Sequence, residues 1–284
     1  MYELILENKN GDQLTFAQNS PFAITEIEGL NPPEATINTS ELALIDGAKF
    51  NSSKLQMRTI NIAFAIQYQA AANRLEVYKV LKSKQYVKLY YTSAYRDVYI
   101  EGYIQSIDVT YFDMMQICTV SILCPSPYFK EAQQVVDDVT KIISAFHFPF
   151  ASTADPQLVF SYVSTDVGVT IENDGELDCG MIIELYARNA VSNPKIFNYI
   201  TQDYIGVQIA MQQADLITID TRQGQKSATL LRGGVETNIF NYIMQGSTWL
   251  QLSAAGDTFV YEVGTGNTAD LDVRFMHYNL FEGV

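Results

Sequence analysis

From Arg58 to Tyr68 the chain alternates, with Ile60, Ile62, Phe64, Ile66 and Tyr68 on one side and Asn61, Ala63, Ala65 and Gln67 on the other. A period of two sustained this long predicts a half-buried β-strand. Extended stretches also precede it. Residues 2–7 and 13–16 flank Asn10-Gly11, a dipeptide that tolerates the positive φ of a tight hairpin turn. Pro21 to Leu30 reads as a third strand, which must leave its sheet at Asn31-Pro32-Pro33. Between them and Arg58, residues 34–53 are polar and turn-rich around Asp46-Gly47, which predicts a long projecting hairpin or loop. The period then changes. Ala71, Leu75, Tyr78 and Leu81 fall at helical spacing within 70–84, while Arg74, Lys79 and Lys82 occupy other faces. The late lysines suit the negative end of a helix dipole. So short a helix must lay its apolar stripe on a neighbouring sheet. Strands follow at 86–91, 96–111 and 114–124, the last with Cys118, Val120 and Ile122 sharing a face.

Cys124-Pro125-Ser126-Pro127-Tyr128-Phe129 interrupts this pattern. Proline fixes φ and has no amide donor, so two prolines one residue apart cannot continue a central strand. The segment reads as a joint between two β units. Beyond it, residues 131–143 suit either a short helix or an extended linker, and Pro149 and Pro156 punctuate the stretch up to residue 157. From Leu158 onward short strands recur, separated by turns such as Asn173-Asp174-Gly175, Gly233-Gly234 and Gly264-Thr265-Gly266-Asn267. Leu271, Val273 and Phe275 alternate against Asp270, Asp272 and Arg274, as in an antiparallel strand with one buried face. Short strands at this spacing predict a sandwich or jelly roll. The expected class is mainly β with one helix. The expected domains are 1–130, a linker at 131–157, and 158–284. The pattern leaves open whether the last strand belongs to the second domain or returns to the first.

Composition narrows what such a chain does. Its 284 residues, 48% hydrophobic, suffice for two packed cores. The 18 Tyr and 15 Phe suit half-buried strands and interfaces with one wet edge. A net charge of −14 with no basic run disfavours binding to nucleic acid or to an anionic membrane surface. No basic stretch followed by an apolar one opens the sequence, and no apolar run approaches a membrane span of about 20 residues. Cys118, Cys124 and Cys179 form no paired framework; six residues apart on one strand, the first two are too distant for a disulfide. All three read as reduced, small apolar residues of a chain made in a cytoplasm.

The chemistry-bearing residues are few. His147 lies among Phe146, Phe148 and Phe150, and His277 ends an alternating strand, so packing is the simpler role for each. Gly264-Thr265-Gly266-Asn267-Thr268-Ala269 resembles a dinucleotide fingerprint, but a β pattern follows where a pyrophosphate-binding helix is needed. Glu172, Asp174, Glu176 and Asp178 carry oxygen ligands without the spacing of a calcium loop. Asp137 and Asp138 are adjacent and point apart, unlike a catalytic carboxylate pair. Trp249, the single tryptophan, reads as a core residue ahead of a glycan platform. No catalytic, cofactor-binding or metal-ligating residue is assigned, and neither an enzyme activity nor a cofactor is expected.

In order and spacing, several segments resemble the distal tail proteins of long-tailed bacteriophages. In the first half these are Ile27-Glu28-Gly29-Leu30 with the polar Asp46-Gly47 loop, Arg58-Thr59-Ile60-Asn61-Ile62, the Leu75–Tyr78 helix and the exit Leu123 to Phe129. In the second they are Ile171 to Gly175, Asn193 to Ile196, Leu216 to Thr221, Gly246 to Leu252 and Tyr278 to Val284. Ser253-Ala254-Ala255-Gly256-Asp257 departs from the family, which often has a Pro-Gly turn there. The resemblance implies a tail-tube-like β-sandwich or split barrel with one packed helix, then a galectin-like or jelly-roll sandwich. It implies a homohexameric ring at the tip of a virion tail, assembled in the host cytoplasm. The implied partners are the tail tube, the tail-tip protein, the tape-measure protein and receptor-binding or accessory proteins. DNA is transit cargo only, and no membrane insertion is implied. A component of a contractile tail or tail-like bacteriocin, and a carbohydrate-binding adhesin, remain alternatives.

Overall fold

The computed structural model describes residues 3–17, 19–41, 46–111, 115–139, 142–144, 161–163 and 168–284. The chain divides into two units, Met1–Ala132 with Leu280–Val284, and Gln133–Asn279.

The first unit is built on a nine-stranded antiparallel sheet. Seven strands run in the order Gln13–Phe16, Glu3–Asn8, Tyr86–Thr92, Asp97–Val109, Gln116–Cys124, Arg58–Ile66 and Phe22–Glu28. The alternation of Arg58–Ile66 decides its place. It lies between two neighbours, and Ile60, Ile62 and Phe64 meet Ile122, Val120 and Cys118 in register on the buried face. Phe16 and Phe22 belong to opposite ends of this order. Yet Phe16 is 4.9 Å from Phe64 and 6.1 Å from Phe22, centroid to centroid. The sheet therefore curls around one core that both ends share, although no ladder joins the Gln13–Phe16 and Phe22–Glu28 strands. A register shift between Ile104 and Ser106 bends the longest strand, as a bulge does.

The helix spans Ala70–Val80, ending before the expected residue 84. Its buried residues are Val77 and Val80, continued by Leu81, whereas Leu75 is 64% exposed. The expected stripe through Leu75 is thus corrected to one through Val77. The helix's last turn is pinned by Asn8, whose Nδ2 donates to the Val80 carbonyl at 2.9 Å, and this sets which side meets the sheet.

The final strand returns to the first unit. Phe129–Glu131 pairs on one side with Val98 and Tyr99, and on the other with Leu280–Phe281. Val135–Asp138, inside the stretch expected to be a linker, is a strand rather than a helix and pairs with Leu271–His277.

The second unit contains two principal sheets. One runs Val135–Asp138, Leu271–His277, Cys179–Ala187, Leu216–Asp220, Ser227–Arg232, Val235–Asn238. The other runs Gly168–Ile171, Asp257–Glu262, Lys195–Asn198, Tyr204–Gly206. Period-two alternation sends Met181, Ile183, Leu185, Leu271, Val273 and Phe275 inward from the first sheet, and Ile171, Ile196, Phe259 and Tyr261 from the second. The Phe259 and Phe275 rings, one from each sheet, stack at 5.1 Å. The fold is mainly β, with β-sandwich character and one α-helix among the described residues.

Candidate assembly surfaces

Ala35–Glu41 and Ala48–Leu55 form an antiparallel hairpin that, among the described residues, pairs with no other strand of the first unit. Its strands are laced by side chains: Asn38 donates to Ser52 at 2.9 Å, Asn51 to Ser40 at 2.5 Å, and Gln56, just past the second strand, to Thr36 at 2.6 Å. Its apolar residues are not buried; Ile37 is 62% exposed and Phe50 59%. This is the projecting hairpin expected from the polar 34–53 stretch. A two-stranded ribbon is marginally stable alone, so one that exposes isoleucine and phenylalanine lacks a covering surface.

Elsewhere on the first unit, the sheet face turned away from the core is polar and aromatic. Glu101 accepts from Lys130 Nζ at 2.5 Å and from the Tyr86 hydroxyl at 2.7 Å. Burial opposes ionisation of Glu101, but these two hydrogen bonds together with the charges of Lys130 and Lys88 outweigh it and hold the carboxyl below its ordinary range. Burial and the same bond to Glu101 push the Tyr86 phenol up. Lys88 and Lys130 both stand over the Tyr99 ring, at 5.2 and 5.7 Å.

In the second unit a groove of about 960 Å³ runs over the outward side of the longer sheet. Arg188 grips Asp272 through two parallel bonds, Nε to Oδ2 at 2.7 Å and Nη2 to Oδ1 at 2.5 Å. Arg274 donates to Asp138 at 2.7 Å and lies 3.8 Å from Glu184. Tyr186 lines the groove between them and is half-exposed. At the far edge of this sheet all four residues of Val235–Asn238 are exposed, beside half-exposed Phe240 and Tyr242.

Residues 9–124 match the family model described as a phage tail protein RIFT-related domain. The matched stretch lies within the first unit and makes up most of it. Over its whole length the chain is similar in fold to the Dit protein of phage SPP1, with a TM-score of 0.67 at 11% identity, covering 98% of this chain and 99% of that one. A chain of the phage P2 baseplate in its activated conformation with calcium matches at 0.53 and 11% identity, over 100% of both chains. The corresponding p2 structure with strontium matches at 0.52 and 12%, over 97% and 98%. At these identities the likeness is one of fold. No curated protein matches the chain by sequence.

Within these units the residues singled out from sequence fall apart rather than together. His147 lies outside the described residues. His277 is buried in register with Val135 and Met181. Asn173 organises the acidic turn, donating to the carbonyls of Leu177 at 3.0 Å and Ser253 at 3.1 Å, while Asp178 accepts from the Ala254 amide. Among the described residues no three of His, Cys, Asp and Glu gather as metal ligands. Asn267 caps the short turn Thr268–Asp270, and a strand follows. Asp138 pairs with Arg274, while Asp137 lies on the other face of its strand. Trp249 is half-buried rather than in the core, 5.6 Å from the Phe240 ring and under Lys226 at 5.5 Å. What sequence reasoning missed is the Arg188–Asp272–Arg274 row. Its only signal was the polar half of the alternation at 270–274.

Proposed function

We propose that this chain is the distal hub of a long-tailed phage, a structural protein that closes into a homohexameric ring at the tail tip. The tail domain forms the ring around a channel for DNA and the tape-measure protein, and joins the tail tube to the tip. The sandwich of the second unit stands outside the ring and docks receptor-binding or accessory proteins. The observation that carries this reading is the end-to-end fold likeness to the SPP1 Dit protein, described as a hub of the adsorption apparatus in phages that infect Gram-positive hosts. The exposed hairpin supports it independently. A ribbon that offers Ile37 and Phe50 to solvent is explained if a neighbouring copy covers it. The role is one of assembly and carries no catalytic step.

Deleting Thr39–Ser52 tests the reading. The expected product is a folded monomer with the melting behaviour of the parent core and no rings by native mass spectrometry. Intact rings from that variant overturn the role given to the hairpin.

A further inference from the structure

Residues 280–284 are held at each position. Leu280 and Phe281 pair with Lys130 and Phe129. The Arg96 guanidinium stands 4.3 Å over the Phe281 ring, and Phe281 and Val284 pack against the core of the tail domain. The Glu282 backbone carbonyl accepts a hydrogen bond from Arg58 Nη2. Gly283 lies so near Pro32 that an added Cβ would sit 3.0 Å from its Cδ, and the Val284 amide reaches the Leu30 carbonyl at 3.4 Å.

Arg58 is the centre of this arrangement. It is 3% exposed, and its Nη1 donates to the carbonyls of Gly29 at 2.8 Å and Asn31 at 3.0 Å. Its flat face covers the Phe129 ring at 4.7 Å. Burial lowers the Arg58 pKa, the sign of a charge taken out of water. Such a charge is tolerable only when backbone acceptors surround it. Two of the acceptors come from the neighbouring turn. That turn can lie so close because Gly29 has φ +88° and no Cβ, which would otherwise be 2.2 Å from the Thr59 carbonyl oxygen. The third acceptor comes from 224 positions along the chain, after the entire second unit.

We propose that Arg58 is a latch that completes the tail domain only when residues 280–284 arrive, so that only a chain carrying its whole second unit becomes competent to assemble. Before that moment the Phe129–Glu131 strand has one open edge, and the core lacks Phe281 and Val284. Arg58 Nη2 then lacks the backbone acceptor that residue 282 supplies. Truncated copies are in this way kept out of the ring. The latch itself stands on the geometry of the first unit, and the assembly gate rests on the ring reading.

Hydrogen exchange and native mass spectrometry on the full chain separate the two. In the parent protein the amides of 129–131 and 280–282 should open together, as one cooperative unit. Arg58→Met should speed exchange in both segments by more than about tenfold, leaving 179–187 and 271–277 of the second unit unchanged. Replacing 280–284 by a Gly-Ser run should leave a monomer where the parent forms rings. Free exchange at 280–282 beside protected 129–131, or parental protection in Arg58→Met, overturns the latch. Rings from the Gly-Ser variant overturn the gate. If the parent forms no rings, the hub reading fails while the exchange data still judge the latch.

Discussion

The two units solve the same problem, burying β-sheet faces, in different ways. The first unit wraps one sheet around one core, with strands as long as Asp97–Val109 and a helix laid against it. The second unit stacks two sheets of mostly short strands, joined by a Phe259–Phe275 contact. Their charge differs as well. The first unit holds 15 acidic and 11 basic residues, the second 17 and 7. Most of the excess acid therefore lies in the second unit. The lesson is that a whole-chain property can belong mainly to one unit.

The cysteines make this comparison measurable. Cys118 and Cys124 are buried in the tail domain and Cys179 in the second unit, and burial pushes each thiol up to about 12. All three should resist alkylation until their own unit opens. The largest expected effect is from Phe64→Ala, which removes a fully buried ring shared by both ends of the curled sheet. It should cost about 3–5 kcal/mol and expose Cys118 and Cys124 at lower denaturant, with Cys179 unchanged. Phe275→Ala should do the reverse. If either substitution shifts all three thiols equally, the units do not unfold separately.

A smaller effect, confined to the second unit, is expected from Asp215→Asn. Asp215 is buried and accepts from Arg232 Nε at 3.0 Å and from the Gln212 amide at 2.6 Å. The hydrogen bond from Arg232 holds its carboxyl below the ordinary range; burial opposes this, and the Gln212 amide adds to it. A depressed folded pKa stabilises fully above the unfolded value of about 3.9, and the benefit is lost as pH falls through the folded pKa. The Asn variant should be about 1–2 kcal/mol less stable at neutral pH. Its urea midpoint should converge with that of the parent in acid. A constant gap down to the lowest pH would show that the carboxylate charge is not what matters. The smallest effect belongs to Leu75→Ala, within about 0.5 kcal/mol, because that side chain is exposed.

Leu75 also marks where the sequence was legible and where it was not. Long alternation is a strong signal, so the strands expected at Arg58–Tyr68 and 114–124 are present as Arg58–Ile66 and Gln116–Cys124, although Tyr68 falls past the strand's end and is exposed. The helix is equally visible, but its buried side is set by tertiary contacts such as Asn8 to Val80, which periodicity does not contain. Strands of two residues have no period. Hence the pattern does not show the return of Leu280–Phe281 to the first unit. The hairpin was read from its polar, turn-rich composition. The groove was not, because Arg188, Asp272, Arg274 and Asp138 come together only across strand pairings far apart in sequence.

The mass of the purified full-length protein in native solution tests the hub reading most directly. A single assembly of six chains is predicted, disappearing when Thr39–Ser52 is removed. A protein that stays monomeric at every concentration, and inside isolated tails as well, would contradict it.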